Sequence, residues 1–225
     1  YDGIMRSYGE SLERLGLSSV DLLLIHDLDG HQSPDLEGYW AQLTTSGWRA
    51  LRQLRDSGDV RGIGAGINTA GLVHRLLTDF DMDVILMALP YTLLEQGALD
   101  DDLPLCVERN VGVIIGAVFG SGILATGGVD RAQYRYADAA APIVDKVRKL
   151  NLVCERHGVS LPAAALQFPL GHPAVSSVIP GAFQAEQVRQ NVEQFQRDVP
   201  DSFWCDLKAE SLLPEHAPVP LLGIR

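Results

Sequence analysis

Apolar runs that suit buried strands alternate with helix-period segments along the whole chain, and this alternation constrains the fold more than any other feature. Strands are predicted at 20–26, 61–65, 84–87, 111–115 and 175–179, each followed by a helical stretch. A β-α unit repeated five times specifies a mostly parallel sheet with right-handed crossovers. The clearest strand is Val20-Asp-Leu-Leu-Leu-Ile-His26, followed by Asp27. Its four consecutive aliphatics, Leu22 to Ile25, read as a strand covered on both faces, as parallel strands in α/β proteins are. In a parallel barrel the C-terminal strand ends hold the chemistry, so His26 stands where a catalytic group would stand. On position alone, a polar residue that simply closes a strand fits as well.

The first helix is read over residues 3–15, with Asp2 as its cap, an apolar stripe of Met5, Tyr8, Leu12 and Leu15, and Gly16 as its stop. Residues 27–46 read as a long polar loop carrying two exposed aromatics, Tyr39 and Trp40. Further helices are expected at 48–56, 70–77, 103–109, 141–157, 162–170 and 185–195, with Trp48, Leu51 and Leu54 as core packing in the first of these. Asp100 to Asp102 read as a solvated helix start, favourable at the positive end of the dipole. His74, His157, His172 and His216 read as surface or capping residues. The proline-rich stretch from Leu213 to Pro220 reads as an extended segment on the surface. Alternation alone does not separate an open doubly wound sheet from a (β/α)₈ barrel. No Gly-x-Gly-x-x-Gly turn follows any strand, which argues against a Rossmann dinucleotide site.

Composition narrows the partners. Eighteen basic against 29 acidic residues give a net charge of −11, leaving no basic surplus for a phosphate backbone. No apolar stretch reaches the roughly 18 residues of a membrane span, and the first residues lack the basic and apolar regions of a signal peptide. Cys106, Cys154 and Cys205 are too dispersed for chelation and too few for a disulfide framework. The expectation is a cytoplasmic protein with reduced thiols that handles a small molecule.

Several strings then follow one another in a known order: Tyr1-Asp-Gly-Ile-Met-Arg-Ser7, Ser11-Leu-Glu-Arg-Leu-Gly16, His26-Asp27, Val60-Arg-Gly-Ile-Gly64, Gly120-Ser-Gly-Ile-Leu124 and Ser177-Val-Ile-Pro-Gly181 with Gln187-Val-Arg-Gln-Asn191. Together they resemble the aldo-keto reductase family. Gly64-Ala-Gly-Ile-Asn68, Tyr91-Thr-Leu-Leu-Glu-Gln96 and Ala163-Ala-Ala-Leu-Gln-Phe-Pro169 resemble its NAD-linked aldose 1-dehydrogenases, which act on L-fucose and D-threo-aldoses. The resemblance implies a (β/α)₈ TIM-type barrel of which residues 1–225 supply about the last five units, as one domain. It also implies that the family's catalytic tyrosine, aspartate and lysine fall in units with no match here, and that only the catalytic histidine maps, onto His26. The expectation is therefore an oxidoreductase whose 225 residues alone are impaired, with two sheet edges available for self-association.

The resemblance also places the cofactor. Phe119, Ser121, Gly122 and Leu124 are expected around its pyrophosphate and nicotinamide, because glycine lets backbone N–H groups approach closely. At the last strand, Gly181, Gln187, Gln190 and Asn191 are expected at the adenosine end. Relatives that use NADP carry a lysine and an arginine where this chain has Gly181 and Gln187, so NAD is expected over NADP. Departures are equally specific: the family's Ser-Asn clamp appears as Gly66-Ile67 with Asn68 one place later, its sixth-strand glutamine matches an apolar residue near Leu86, and its stacking tyrosine falls near Gly116. His31, Tyr39 and Trp40 lie after His26 where loops shape a substrate pocket, and Trp40 is the candidate to stack on a sugar face. The substrate is read as an aldose oxidised at C1 to a lactone. Alternatives are oxidation of the ring aldehyde pyridoxal within the same family, a non-catalytic fragment, and a metal-dependent hydrolase. The last lacks a second strand-end histidine.

Overall fold

The computed structural model describes residues 1–28, 35–128, 132–135 and 137–221. Five strands form one parallel sheet: β1 Leu22–Ile25, β2 Gly62–Ile67, β3 Val84–Ala88, β4 Gly112–Gly116 and, after a two-stranded hairpin of β5 Gln133–Tyr134 and β6 Ala137–Asp138, β7 Val175–Ile179. The sheet order is β1-β2-β3-β4-β7. Neighbours in the sheet are thus consecutive βα units. All four pairings are parallel, with Ile25 opposite Ala65, Ile67 opposite Met87, and Met87 opposite Ile115. The result is a five-strand arc of the barrel type.

The strands stack because small residues let them. An ideal Cβ on Gly64 would sit 1.9 Å from the Val84 carbonyl oxygen, so the backbones of β2 and β3 meet where a side chain would stand. Between β4 and β7 the register shifts after Val113, a bulge at the sheet's edge that bends the last strand. The edges are barer than the aliphatic run of β1 implies. Leu22 is exposed and Leu23 to Ile25 are half-buried, so β1 is an edge strand with one uncovered side. On β7, Ser176, Ser177 and Ile179 are exposed as well.

Helices pack on the sheet through the predicted stripes. Helix α1, Asp2–Leu15, begins one residue earlier than expected, with Tyr1 rather than Asp2 at the cap and Gly16 closing it at φ 66. Tyr8 is its buried residue, whereas Leu15, expected in the stripe, is exposed. The largest departure concerns residues 35–47. They are helical: α2 Leu36–Gln42 runs through a π turn at Leu43–Gly47 into α3 Trp48–Asp56. Leu36, Trp40, Leu43, Gly47, Leu51 and Leu54 recur every three or four residues and turn inward together. Burying each large member of such a stripe contributes about 1.5–3 kcal/mol. Trp40 is accordingly core, not exposed. Its indole N–H donates to Asp79 at 2.7 Å, Phe80 lies 5.4 Å from its ring, and the Arg75 guanidinium covers it at 3.9 Å.

The remaining helices are α4 Val73–Asp79, α5 Asp102–Glu108, the short α6 Ile123–Thr126, α7 Ala141–His157, α8 Leu161–Gln167, α9 Ala185–Phe195 and α10 Asp201–Ala209. Asp102 is not solvated. It is buried, and its carboxylate accepts the Gly71 and Val73 amides at 2.7 and 3.3 Å, capping α4 from the neighbouring unit. Helix α10 was not anticipated; Phe203, Trp204 and Leu207 anchor it in the core. The C-terminal segment is also more than surface cover, since Leu213 and Ala217 are buried and Val219 runs against Gly171. Among the described residues, no helix is long and apolar enough to cross a membrane.

Candidate active site

The C-terminal strand ends carry an unusual backbone. Asp27, Leu89 and Ala117, just past β1, β3 and β4, all adopt positive φ, at 46°, 84° and 53°. A left-handed L-residue costs about 1–2 kcal/mol, and such strain gathers at functional rims. Here it turns the chain sharply from strand into loop and leaves one cleft of about 660 Å³ lined by His26, Asp27, Asn68, Leu86, Leu89 and Arg135.

His26 stands at the mouth of that cleft with its side chain 93% exposed, its Nδ1 3.5 Å from Asp27 Oδ2. The other Asp27 oxygen accepts the Asn68 carboxamide N–H at 2.8 Å. Asp27 thus joins the ends of β1 and β2, holding His26 beside one oxygen and Asn68 on the other. A carboxylate next to an imidazole biases its tautomer and orientation, leaving Nε2 to meet a ligand. Asn68, one place after the position of the family's amide clamp, also lines this cleft.

Arg135 is the residue that reading the sequence did not single out. It sits at the tip of the β5–β6 hairpin at φ 52, reaching a cleft built mostly from strand ends. Glu95 accepts from its Nη2 at 2.7 Å and from Nε at 3.4 Å. The Tyr134 hydroxyl donates to the same carboxylate at 2.6 Å, and burial together with Glu95 pushes that phenol well above its ordinary pKa. Lys146, whose pKa burial lowers, donates to the Leu94 carbonyl at 2.8 Å and so pins this loop to α7.

At β4, Gly120, Ser121 and Gly122 all have positive φ, forming a left-handed turn into α6. A Cβ on Gly120 would lie 3.0 Å from the Tyr134 ring, so the turn and the hairpin are packed together. The Gly120 amide donates to Ala117, and those of Gly122 and Leu124 both donate to the Phe119 carbonyl. Phe119 is nearly buried and Leu124 fully so, which leaves the exposed Ser121 as the group of this turn best placed to touch a ligand.

Beyond β7, Gly181, Gln187 and Gln190 are exposed, and Asn191 is half-buried in a groove of about 350 Å³ with Pro180, Ala182 and Val188. Gln187 does more than wait for a ligand: its Oε1 accepts the Phe183 and Gln184 amides at 2.7 and 3.1 Å, capping α9. Arg189, the basic residue of this stretch, is paired with Glu186 at 3.0 Å.

Other candidates are placed elsewhere. Trp40 is not in the cleft; its ring is committed to the core. Tyr39 is half exposed and lines a second concavity with Tyr1 and the other side of His26. His31 lies outside the described residues. His172, read as surface or capping, is buried: its Nδ1 accepts the Ala174 amide at 3.2 Å and its ring meets Tyr91 edge-on. His157 and His216 pair with Asp206 and Asp100 at 2.8 and 2.7 Å. Among the described residues, no group of three or more His, Cys, Asp or Glu side chains gathers as metal ligands.

The chain is 41% identical over 215 residues to the pyridoxal 4-dehydrogenase of Microbacterium luteolum and 38% over 213 residues to the D-threo-aldose 1-dehydrogenase of a Pseudomonas species. These alignments take in 95% and 94% of this chain but 63% of each relative, so the chain spans less than two thirds of their length. In fold it is similar to the holo form of an aldo-keto reductase from Bacillus halodurans, with a TM-score of 0.70 at 20% identity, over 98% of this chain and 66% of that one. Residues 1–210 match the model of the Aldo/keto reductase family. With that match over nearly the whole chain, on a parallel sheet whose strand ends gather His26, Asp27 and Asn68, this chain belongs to the aldo/keto reductase family.

Proposed function

We propose that this chain forms the histidine-bearing part of an NAD-dependent dehydrogenase that oxidises a cyclic hemiacetal to a lactone. The observation that carries the reading is the Asn68–Asp27–His26 chain of contacts at the cleft. Two similar proteins are named for pyridoxal and for D-threo-aldoses. Both substrates close into hemiacetal rings, so a single chemistry, loss of hydride from a ring carbon bearing a hydroxyl, covers both. Nicotinamide, when bound, takes up that hydride. The protein's own residues do the rest. His26 Nε2 accepts the hemiacetal hydroxyl's hydrogen bond, orients it and takes up its proton as hydride leaves, while Asp27 keeps the imidazole in place. Leu86 and Leu89 supply the apolar wall that limits water around the reacting carbon.

The fit of the cofactor rests on two structural features. The left-handed Gly120–Gly122 turn leaves open space at Gly122, where a Cβ would meet nothing within 4 Å, as also at Gly181. Ser121 would hold the diphosphate, Asn191 the adenine in its apolar groove, and Gln187 Nε2 or Gln190 a ribose hydroxyl. Neutral residues at Gly181 and Gln187, with Arg189 already paired, support NAD over NADP. Cytoplasmic reduction would keep the three thiols free, and residues 1–225 act as one folding unit.

The family's tyrosine, aspartate and lysine have no counterpart among these residues, so turnover by the 225-residue chain is expected to be impaired while binding persists. Titration with NADH and NADPH, followed by nicotinamide fluorescence, tests the cofactor reading: tighter NADPH binding would overturn it. His26→Gln should weaken lactone binding with the NADH titration unchanged. Oxidation of L-fucose or pyridoxal at the rate of full-length relatives would refute the impairment. The bare edges of β1 and β7 are further proposed to pair with another copy. A dilute monomer of 24.4 kDa on size exclusion would refute that.

A further inference from the structure

We propose that Arg135 sets the substrate class of the cleft, selecting a ring that carries an oxyanion near its hemiacetal carbon over a neutral sugar; this rests on the hemiacetal reading above. Arg135 is the one cation lining the cleft, among the described residues, in a chain of net charge −11. A guanidinium has five N–H donors in a fixed fork. Glu95 engages Nε and one Nη2 hydrogen and the Tyr134 hydroxyl takes up a further donor, so among the described residues two of the five stay available, on a side chain 40% exposed. Asp27, the carboxylate of the cleft, stands just past β1 and is held between Asn68 and His26. The cleft therefore brings together two kinds of group: acceptors at His26 and Asp27, and a charged donor at Arg135.

An aryl hemiacetal such as pyridoxal, with its ring oxido group beside the reacting substituent, offers a partner to both kinds of group. A neutral aldose gains only an ordinary hydroxyl contact from Arg135. Glu95 is a positioning residue. With Tyr134 it clamps the hairpin, and the packing of Tyr134 on Gly120 links that clamp to the turn expected to hold the diphosphate.

The test is equilibrium binding of two product lactones to the 225-residue chain, pyridoxal's lactone and L-fucono-lactone, by calorimetry. Arg135→Gln should weaken the pyridoxal lactone about tenfold or more, the scale of one hydrogen bond to a charged group, and the sugar lactone less than about twofold. Arg135→Lys should recover part of the loss, and Glu95→Gln should weaken the same ligand through a looser fork. Binding of the pyridoxal lactone to the unmodified chain should fall as its phenolate is protonated, and that pH dependence should vanish in Arg135→Gln. Equal loss for both lactones, or none for either, would overturn the proposal while leaving the hemiacetal reading intact. If neither lactone binds the unmodified chain, both fall.

Discussion

Replacing Asp102 with alanine should destabilise the protein by about 2–3 kcal/mol, because one carboxylate from α5 serves as the N-terminal cap of α4. The Gly71 and Val73 amides donate to it at 2.7 and 3.3 Å, and the side chain is almost wholly buried. Truncation leaves two amides without an acceptor, that of Val73 in a buried position. A cap alone is worth about 0.5–2 kcal/mol, and bonding to a charged group adds to that. The desolvated carboxylate offsets part of the gain, since burial raises its pKa above the ordinary 3.8 despite the two amides. Because the folded pKa is raised, protonation of Asp102 favours the fold: that contribution is fully present below the unfolded value and is lost as pH rises through the folded value. Asp102→Asn, which keeps one acceptor oxygen and cannot ionise, should cost about 1 kcal/mol, with the gap to wild type widest in acid. Urea unfolding followed by circular dichroism at several pH values measures both. For a chain this size the alanine variant should melt about 5–10 °C lower. An alanine variant within about 0.5 kcal/mol of wild type would refute the cap. So would an asparagine variant worse than alanine.

Three further outcomes follow from burial and charge. Ellman's reagent should modify one thiol in the native protein, the exposed Cys205, and three after denaturation; burial pushes the Cys106 and Cys154 thiols up to about 12 and closes them off. Fast native reaction of a second thiol would contradict the packing of α5 or α7. Burial lowers the His172 pKa from its ordinary 6.5, so its contribution is present above that value and is lost as pH falls from there toward the folded one. His172→Asn should flatten that acid limb of stability, and an unchanged slope would assign it elsewhere. Gly64→Ala should fail to fold or melt far lower, because its Cβ would enter the Val84 carbonyl; a variant with wild-type melting would show that β2 and β3 are free to separate.

The elements that were legible in the sequence are those that local chemistry determines. Helices at 141–157 and 185–195 and the strand at 175–179 lie where periodicity and apolar runs put them. The helix at 48–56 lies where it was expected, but its extension back through residues 36–47 escaped because Thr44, Thr45, Ser46 and Gly47 read as loop. Yet Thr44 and Thr45 hydroxyls bond back to the Trp40 and Ala41 carbonyls, and the π turn absorbs the strain while the apolar stripe continues. The stripe was the signal, and local polarity masked it. Asp102 and Arg135 could not be found this way at all. Each acts on a partner some 30 to 40 residues away, a relation that only the packed sheet creates. His26 was legible because a strand end announces itself, and the structure adds what the run of leucines hid: its strand is an edge.

Helix α9 has no buried residue, yet it carries Gln187, Gln190 and Asn191. Its side chains Val188, Val192 and Phe195 are half-exposed, and Gln167 holds its far end through the Phe195 and Arg197 carbonyls at 3.1 and 2.7 Å. With so few anchors, α9 is expected to open well below the free energy of global unfolding. If a dinucleotide docks there as proposed, it orders the helix as it binds, and its apparent affinity is reduced to the fraction of molecules with α9 already in place. Helix order and ligand affinity on this chain are then one equilibrium read at two ends. Amide exchange in residues 185–195 should slow on titration with dinucleotide in step with occupancy, long before the core strands respond.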